Sequence, residues 1–252
     1  MPATSLSASP SPGGRLRLFC FHHAGGAASV FSGWPAALPG DVDVLPVQLP
    51  GREWRRREPV PADFDALIAG LEADLAEHVR PPYAFYGHSL GGGVAYRLAQ
   101  RYPARGVAAP VALLVGACAA PHLRPVLQTA ELAGEEALVS EMLRIGGVSA
   151  EVLRRPEWLR AATGLLRADL RLMATARPPD GAPLPFPLHL FHGTDDPLVS
   201  EQQVSEWSRY TTVGTVLHRV EGGHFFVREP DAEFFRTVRD ILSPMTQSHG
   251  GV

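Results

Sequence analysis

The residues with the clearest capacity for chemistry are a serine, two adjacent aspartates and a histidine, far apart in a chain of 252 residues. Ser89 lies in Tyr86-Gly87-His88-Ser89-Leu90-Gly91-Gly92-Gly93, a G-x-S-x-G pattern. Aromatic and apolar residues from Tyr83 lead into it, and a helix-like run, Val94 to Arg101, follows. Strand, sharp turn and helix make a nucleophile elbow of this pattern, with the serine raised out of the fold. Gly87 and Gly91 leave room for the backbone crossing, and Gly92 and Gly93 let the helix approach the sheet. The helix N-terminus behind the serine favours negative charge. A serine hydroxyl is a weak nucleophile at neutral pH and needs a base. An imidazole can take its proton and return it to the leaving group, while a carboxylate behind the imidazole fixes its tautomer. His224, on the Gly222-Gly223 loop after a strand-like run, is the best placed of ten histidines. Asp195 and Asp196 compete for the acid, and because alternate side chains point opposite ways only one can face His224. Asp196 precedes Pro197, which restricts its backbone, so Asp196 is preferred and Asp195 is the alternative.

These groups need elements to bring them together. Arg15 to Phe21 reads as a strand that becomes fully apolar, as a central strand would. A loop, His22-His23-Ala24-Gly25-Gly26, follows it, and Ser29 is placed to cap a helix through Leu38. Val42 to Val47 is a second strand, and Asp63 opens an amphipathic helix to about Val79. After the elbow, Pro110 to Cys118 is another strand. From about residue 121 to 177 the alternation stops, and Ala130 to Ile145 and Pro156 to Ala176 read as helices with no strand between them. A helical insertion beside a nucleophile is a candidate lid. Leu184 to Phe191, a helix capped by Ser200, the strand Thr215 to Val220 and a helix from Pro230 to Met245 complete the pattern. Strands separated by helices imply a mostly parallel central sheet with helices on both faces, an α/β fold whose active residues gather at the carboxyl edge. The chain order Ser89, Asp196, His224 is that of the α/β-hydrolase fold. One domain is expected over 15–245, with a disordered Ser/Pro/Gly-rich leader over 1–14 and a flexible tail over 246–252.

Composition excludes several classes. Apolar content of 45%, charge of 19% and a net charge of −3 describe an ordinary globular chain and give nucleic acid no electrostatic footing. No run approaches the roughly 18–20 apolar residues of a membrane span, and the N-terminus lacks the pattern of a signal peptide. Cys20 and Cys118 sit in apolar strand-like runs, which implies buried reduced thiols and a cytoplasmic protein. His22-His23 has no metal-ligand spacing, so no metal is expected. All basic residues other than histidine are arginine, and the cluster Arg52, Arg55, Arg56, Arg57 among Glu53 and Glu58 reads as a solvated, self-paired face.

An acyl-transfer intermediate needs donors for its oxyanion. One is the N–H of Leu90, the residue after the nucleophile, and the second comes from the loop after the first strand, where Ala24 is the candidate. With these residues in place, F-C-F-H-H-A-G-G-A-A-S, V-Q-L-P-G-R-E, Y-G-H-S-L-G-G, H-G-T-D-D-P and V-E-G-G-H-F-F together resemble the type II thioesterases. These stand-alone α/β-hydrolases accompany polyketide synthases and nonribosomal peptide synthetases. The resemblance runs from about Arg15 to Met245, and H-A-G-G with Q-L-P-G-R-E is its most specific part. It implies Ser89 as nucleophile, Asp196 as acid, His224 as base and Ala24 and Leu90 as oxyanion donors. It also implies removal of acyl groups from the phosphopantetheine arm of acyl or peptidyl carrier proteins, met transiently, or from small acyl thioesters. No cofactor of the protein's own is implied, and neither nucleic acid nor membrane is a partner. His22 departs from the pattern, standing where the family usually has proline. A small-ester esterase or lipase with the same triad, and a non-catalytic hydrolase-fold binding protein, are the alternatives. An integrated cyclising thioesterase is disfavoured because no carrier-domain segment precedes the fold.

Overall fold

Six runs rich in aliphatic and aromatic residues form the sheet on which the chain is built. They are β1 (Leu16–Phe21), β2 (Val42–Val47), β3 (Tyr83–His88), β4 (Leu113–Gly116), β5 (Leu188–Gly193) and β6 (Thr215–Val220). The computed structural model describes residues 5–7, 15–38, 40–123, 134–177 and 181–247. Strand order is β2-β1-β3-β4-β5-β6, and each neighbouring pair is parallel. The chain steps outward from β1 to β2 and then returns to the other side of β1, so order reverses between β1 and β3. At such a switch point the loops leaving both strands open the same crevice. Here those loops carry His23-Ala24-Gly25 and Ser89.

Alternation along the strands builds two cores. Phe19 and Phe21 of β1 face one side, where they meet helices α2 (Phe64–Leu75) and α3 (Leu90–Ala104). Leu16, Leu18 and Cys20 face the other, against α1 (Trp34–Ala37) and a long helix over Ala232–Gln247. Burial of large side chains such as Trp34, Tyr86, Phe85 and Phe191 supplies the main driving force, at about 25 cal/mol per Å² of apolar surface. The α/β architecture with helices on both faces is therefore the one expected.

Local departures have local causes. The helix expected from Ser29 is a 3₁₀ turn over Ala28–Phe31 followed by α1, and no side-chain cap is made at Ala27. Asp63 does cap α2, accepting from Ala66 N–H at 2.7 Å, but the helix ends at Leu75, short of Val79. β5 starts at Leu188, later than Leu184, because Pro185 and Pro187 lack the N–H a ladder needs; Leu184 makes only an isolated bridge to Thr211. In the insertion, the helix expected over 130–145 is described as α4 (Glu135–Arg144), residues 124–133 lying outside the described residues. It is followed by α5 (Ala150–Leu153) and α6 (Pro156–Ala174). After β5 come α7 (Glu201–Ser205), with a capping box at Ser200, and finally α8 (Ala232–Gln247).

The leader expected to be disordered needs a correction at three residues, the rest of 1–14 lying outside the described residues. Leu6 is buried and bridges antiparallel to Val47, and Gln48 N–H donates to Ser5 C=O at 2.7 Å, so Ser5 to Ser7 cover the β2 edge. Pairing of an open edge is the physical reason. Of the tail over 246–252, Thr246 and Gln247 belong to α8, and 248–252 lie outside the described residues.

Candidate active site

Ser89 occupies the turn between β3 and α3 with φ 54° and ψ −116°, a conformation costly for a residue with a side chain. The turn closes because glycine stands at both crossings. A Cβ on Gly87 would come within 2.1 Å of Gly91 C=O, and one on Gly91 within 2.1 Å of Phe21 C=O. Gly92 presses against Cys118 as expected, whereas Gly93 has room for a Cβ and lines a cavity instead. Ser89 N–H donates to Gly116 C=O at 2.8 Å, tying the elbow to β4.

The loop after β6 delivers His224 to this turn. Its Nε2 lies 3.2 Å from Ser89 Oγ and its Nδ1 2.8 Å from Asp196 Oδ2. A carboxylate only accepts, so Nδ1 carries the proton and Nε2 presents its lone pair to the serine hydroxyl. Asp196 Oδ1 accepts from the N–H groups of Leu198 and Val199, at 2.8 and 3.1 Å, which locks the carboxylate. The side chains of His224 and Asp196 are 3% and 0% exposed. Asp195 points elsewhere, exposed, with a long contact of 3.4 Å to Thr194 Oγ1. Geometry thus brings Ser89, Asp196 and His224 together and separates Asp195 from them.

Ala24 and Leu90 line the same cavity as Ser89. The loop carrying Ala24 is held at each neighbour. His23 Nδ1 donates to Ala24 C=O at 2.9 Å, Gly26 N–H to His23 C=O at 3.0 Å, and Gly25 N–H to Asp169 Oδ2 at 2.7 Å. Burial, and then the Arg228 guanidinium, hold the His23 imidazole down at about 3, so it is a neutral donor. His22 is fully buried; burial first, then Arg52, push its imidazole well below the ordinary value, and its Nδ1 donates to His23 C=O at 2.9 Å.

The anchor of this loop overturns the solvated reading of the arginine cluster. Arg52 is buried and meets Asp169 of α6 with both guanidinium nitrogens, at 2.7 and 2.8 Å, while reaching Gly26 C=O at 3.2 Å. Arg55 is buried too, between Glu58, Asp74, Ser5 and Gln48 C=O. Arg56 and Arg57 alone in the cluster face solvent. Asp169 was not singled out from the sequence, although an acid between Leu166, Leu170 and Leu172 interrupts an apolar stripe and is a signal of a buried partner.

Two compartments meet at Ser89. The larger, about 220 Å³, is mostly apolar, with Tyr96, Trp207 and Leu198 on its walls and Leu170 and Met173 of α6 above. Cys118 opens onto it, so this thiol is not fully buried as expected; burial still pushes it up to about 12, and Cys20 is buried as foreseen. The smaller, about 50 Å³, lies among His23, His224, Phe225 and, from the insertion, Met142 and Leu166. Residues of the insertion therefore line both. Among the described residues no cluster of three His, Cys, Asp or Glu suits a metal ion, and no helix is long and apolar enough to cross a membrane.

Known proteins resemble this chain over nearly its whole length. The family described as "Thioesterase domain" matches residues 16–242. Thioesterase PikA5 of Streptomyces venezuelae is 34% identical over 242 residues, covering 92% of this chain and 83% of that protein. Among solved structures, the RedJ thioesterase from the prodiginine pathway of Streptomyces coelicolor superposes with a TM-score of 0.84 at 32% identity, covering 93% of this chain and 91% of its own. The type II thioesterase BorB from the borrelidin cluster gives 0.82 at 35%, covering 92% and 94%. A match over nearly the whole fold, with the serine elbow inside it, means that the chain belongs to the thioesterase family.

Proposed function

We propose that this chain is a type II thioesterase that hydrolyses the thioester between an acyl group and the phosphopantetheine arm of a carrier protein, clearing aberrant units from a polyketide or nonribosomal peptide synthase. The relay from Ser89 through His224 to Asp196, opening onto an apolar chamber, carries the proposal. Ser89 Oγ attacks the thioester carbonyl carbon as its proton passes to His224 Nε2. The imidazolium that results is stabilised by Asp196. The N–H groups of Leu90 and Ala24 receive the oxyanion, and the helix N-terminus behind Leu90 adds a favourable field. Collapse breaks the C–S bond, and His224 returns the proton to the departing thiolate. Water then attacks the acyl-enzyme with His224 as base, releasing the carboxylic acid and restoring Ser89. No cofactor of the protein's own enters these steps, and the partner contact is transient.

The large compartment suits the acyl group. At about 220 Å³, with mostly apolar walls, it offers the acyl chain a dry site beside Ser89. The test is incubation with carrier proteins loaded with acyl groups of graded length, followed by intact-mass detection of released holo protein. Release of holo protein that is abolished in Ser89→Ala is expected, and the graded series reads the chain length preferred. Hydrolysis of matched oxygen esters without release from carrier protein would make the chain an esterase. Failure of Ser89 to react with a fluorophosphonate would make it a non-catalytic binder.

A further inference from the structure

His88 precedes the nucleophile and is fully buried, yet no step above uses it. Its Nε2 lies 2.7 Å from the main-chain oxygen of His224, and its Nδ1 lies 3.1 Å from Tyr86 Oη. The tautomer follows from the partners. Burial, and then the neighbouring His224 and His23, keep the His88 ring well below its ordinary value, so it is neutral with one N–H. A carbonyl oxygen only accepts, so that N–H is on Nε2. Nδ1 is then a bare acceptor, and the Tyr86 hydroxyl must donate to it. Tyr86 and His88 stand two residues apart on β3 and so project from the same face.

The surroundings are shaped for this chain of bonds. Gly116, paired with His88 across β4, carries no side chain; a Cβ there would lie 2.6 Å from Tyr86 Oη and 2.9 Å from His88 Nδ1. Phe226 stacks edge-on against the His88 ring at 4.8 Å, closing its far side. We infer that Tyr86 and His88 are positioning residues: the strand that presents the nucleophile also grips the backbone of the base, holding His224 Nε2 in line with Ser89 Oγ. The grip is short. His88 is the immediate neighbour of Ser89, so the base loop, which also accepts from Asp195 N–H at Gly222 C=O (2.9 Å), is tied directly to the strand that bears the nucleophile.

This inference rests on the triad proposed above, but its test is separable from it. In folded His88→Leu, whose circular dichroism and melting match the parent, kcat for a small acyl thioester should fall on the order of 10²-fold with KM nearly unchanged, the cost of a misplacement of the base by about 1 Å. His88→Gln, whose terminal N–H can reach the His224 carbonyl, should recover most of that loss. In uniformly ¹⁵N-histidine-labelled parent enzyme, the resonance missing from His88→Gln should show the Nε2–H tautomer, and Tyr86→Phe should perturb it. An unchanged kcat in folded His88→Leu would overturn the inference, as would a Gln variant no better than Leu. If His88→Leu does not fold, the tautomer decides: an Nδ1–H form in the parent overturns the assignment. Loss of activity in Ser89→Ala with a normal His88 result would leave the triad intact and sink only the positioning role.

Discussion

At the scale of single residues, the proposed mechanism divides its work between groups that would touch substrate and groups that hold them still. Ser89→Ala and His224→Ala should each lower turnover by several orders of magnitude in folded protein, and the double variant should be little worse, since such residues act as a unit. Near-normal activity in either would refute the triad. Asp196→Asn should cost about 10⁴-fold by presenting the wrong tautomer, whereas Asp195→Asn should be mild because its carboxylate is exposed and 3.4 Å from Thr194. Steady-state kinetics on one thioester substrate decides the ranking. Much of this was legible in the sequence because an elbow serine, a Gly-Gly-His loop and an Asp-Pro pair each announce local backbone geometry. Alternation of side chains allowed only one of Asp195 and Asp196 to face His224, and the restriction by Pro197 favoured Asp196. The His88 and His23 bonds were not legible, since they join main-chain oxygens whose positions depend on the completed fold.

At the scale of elements, the inner strands could be read because burial on both faces makes them apolar runs, and β2 and β6 were found at their observed limits although β6, at the sheet edge, is largely half-buried or exposed. The link between the insertion and the core could not, because Arg52 and Asp169 stand 117 residues apart and no local pattern pairs them. That ion pair is buried on both sides, and Asp169 also receives Gly25 N–H, so α6 anchors the loop of Ala24. Removing one partner leaves an uncompensated buried charge. Asp169→Ala should therefore lower unfolding free energy by about 3–5 kcal/mol, and Arg52→Lys should also destabilise because an ammonium cannot make the two-pronged contact. Urea denaturation measures both, and a loss under ~1 kcal/mol for Asp169→Ala would show that the pair contributes little. The same anchor bears on the expected lid. Amides of α4 and α5 should exchange faster than those of α6 and the central strands, because α6 is pinned and the shorter helices pack through few buried residues, Leu138 and Met142 among them. Equal slow exchange throughout 135–174 would argue against a lid that opens there.

At the scale of the whole molecule, buried neutral histidines set the response to acid. His23 and His189 are held near 3 and 4, mainly by burial, and His22 and His88 lie well below their ordinary value. Each binds its proton in the unfolded chain near 6.5 but resists it when folded, so stability is full above about 6.5 and is lost as pH falls towards 4. Denaturant midpoints should drop steadily from pH 7 to 5; a flat profile would mean that these rings accept protons in the native state. Charge on the surface bears on the partner. With a net charge of −3, attraction for the proposed carrier-protein partner, if its docking face is acidic, must come from local patches. Arg154, Arg155 and Arg160 are exposed at the start of α6 beside exposed Trp158, over which the Arg155 guanidinium lies at 4.2 Å. Planar guanidinium groups suit carboxylates, and exposed pairs are each worth about 0–1 kcal/mol, so docking should be weak and weaken further with salt. Reversing charge at Arg155 and Arg160 together should raise KM for acyl-carrier protein and leave hydrolysis of a small thioester almost unchanged. Equal losses on both substrates would assign these arginines to the insertion's own structure. No loss on either would move docking to another surface, and because Arg52 and Arg55 are buried in ion pairs, the next site to reverse is Arg56 and Arg57, beside the exposed Trp54.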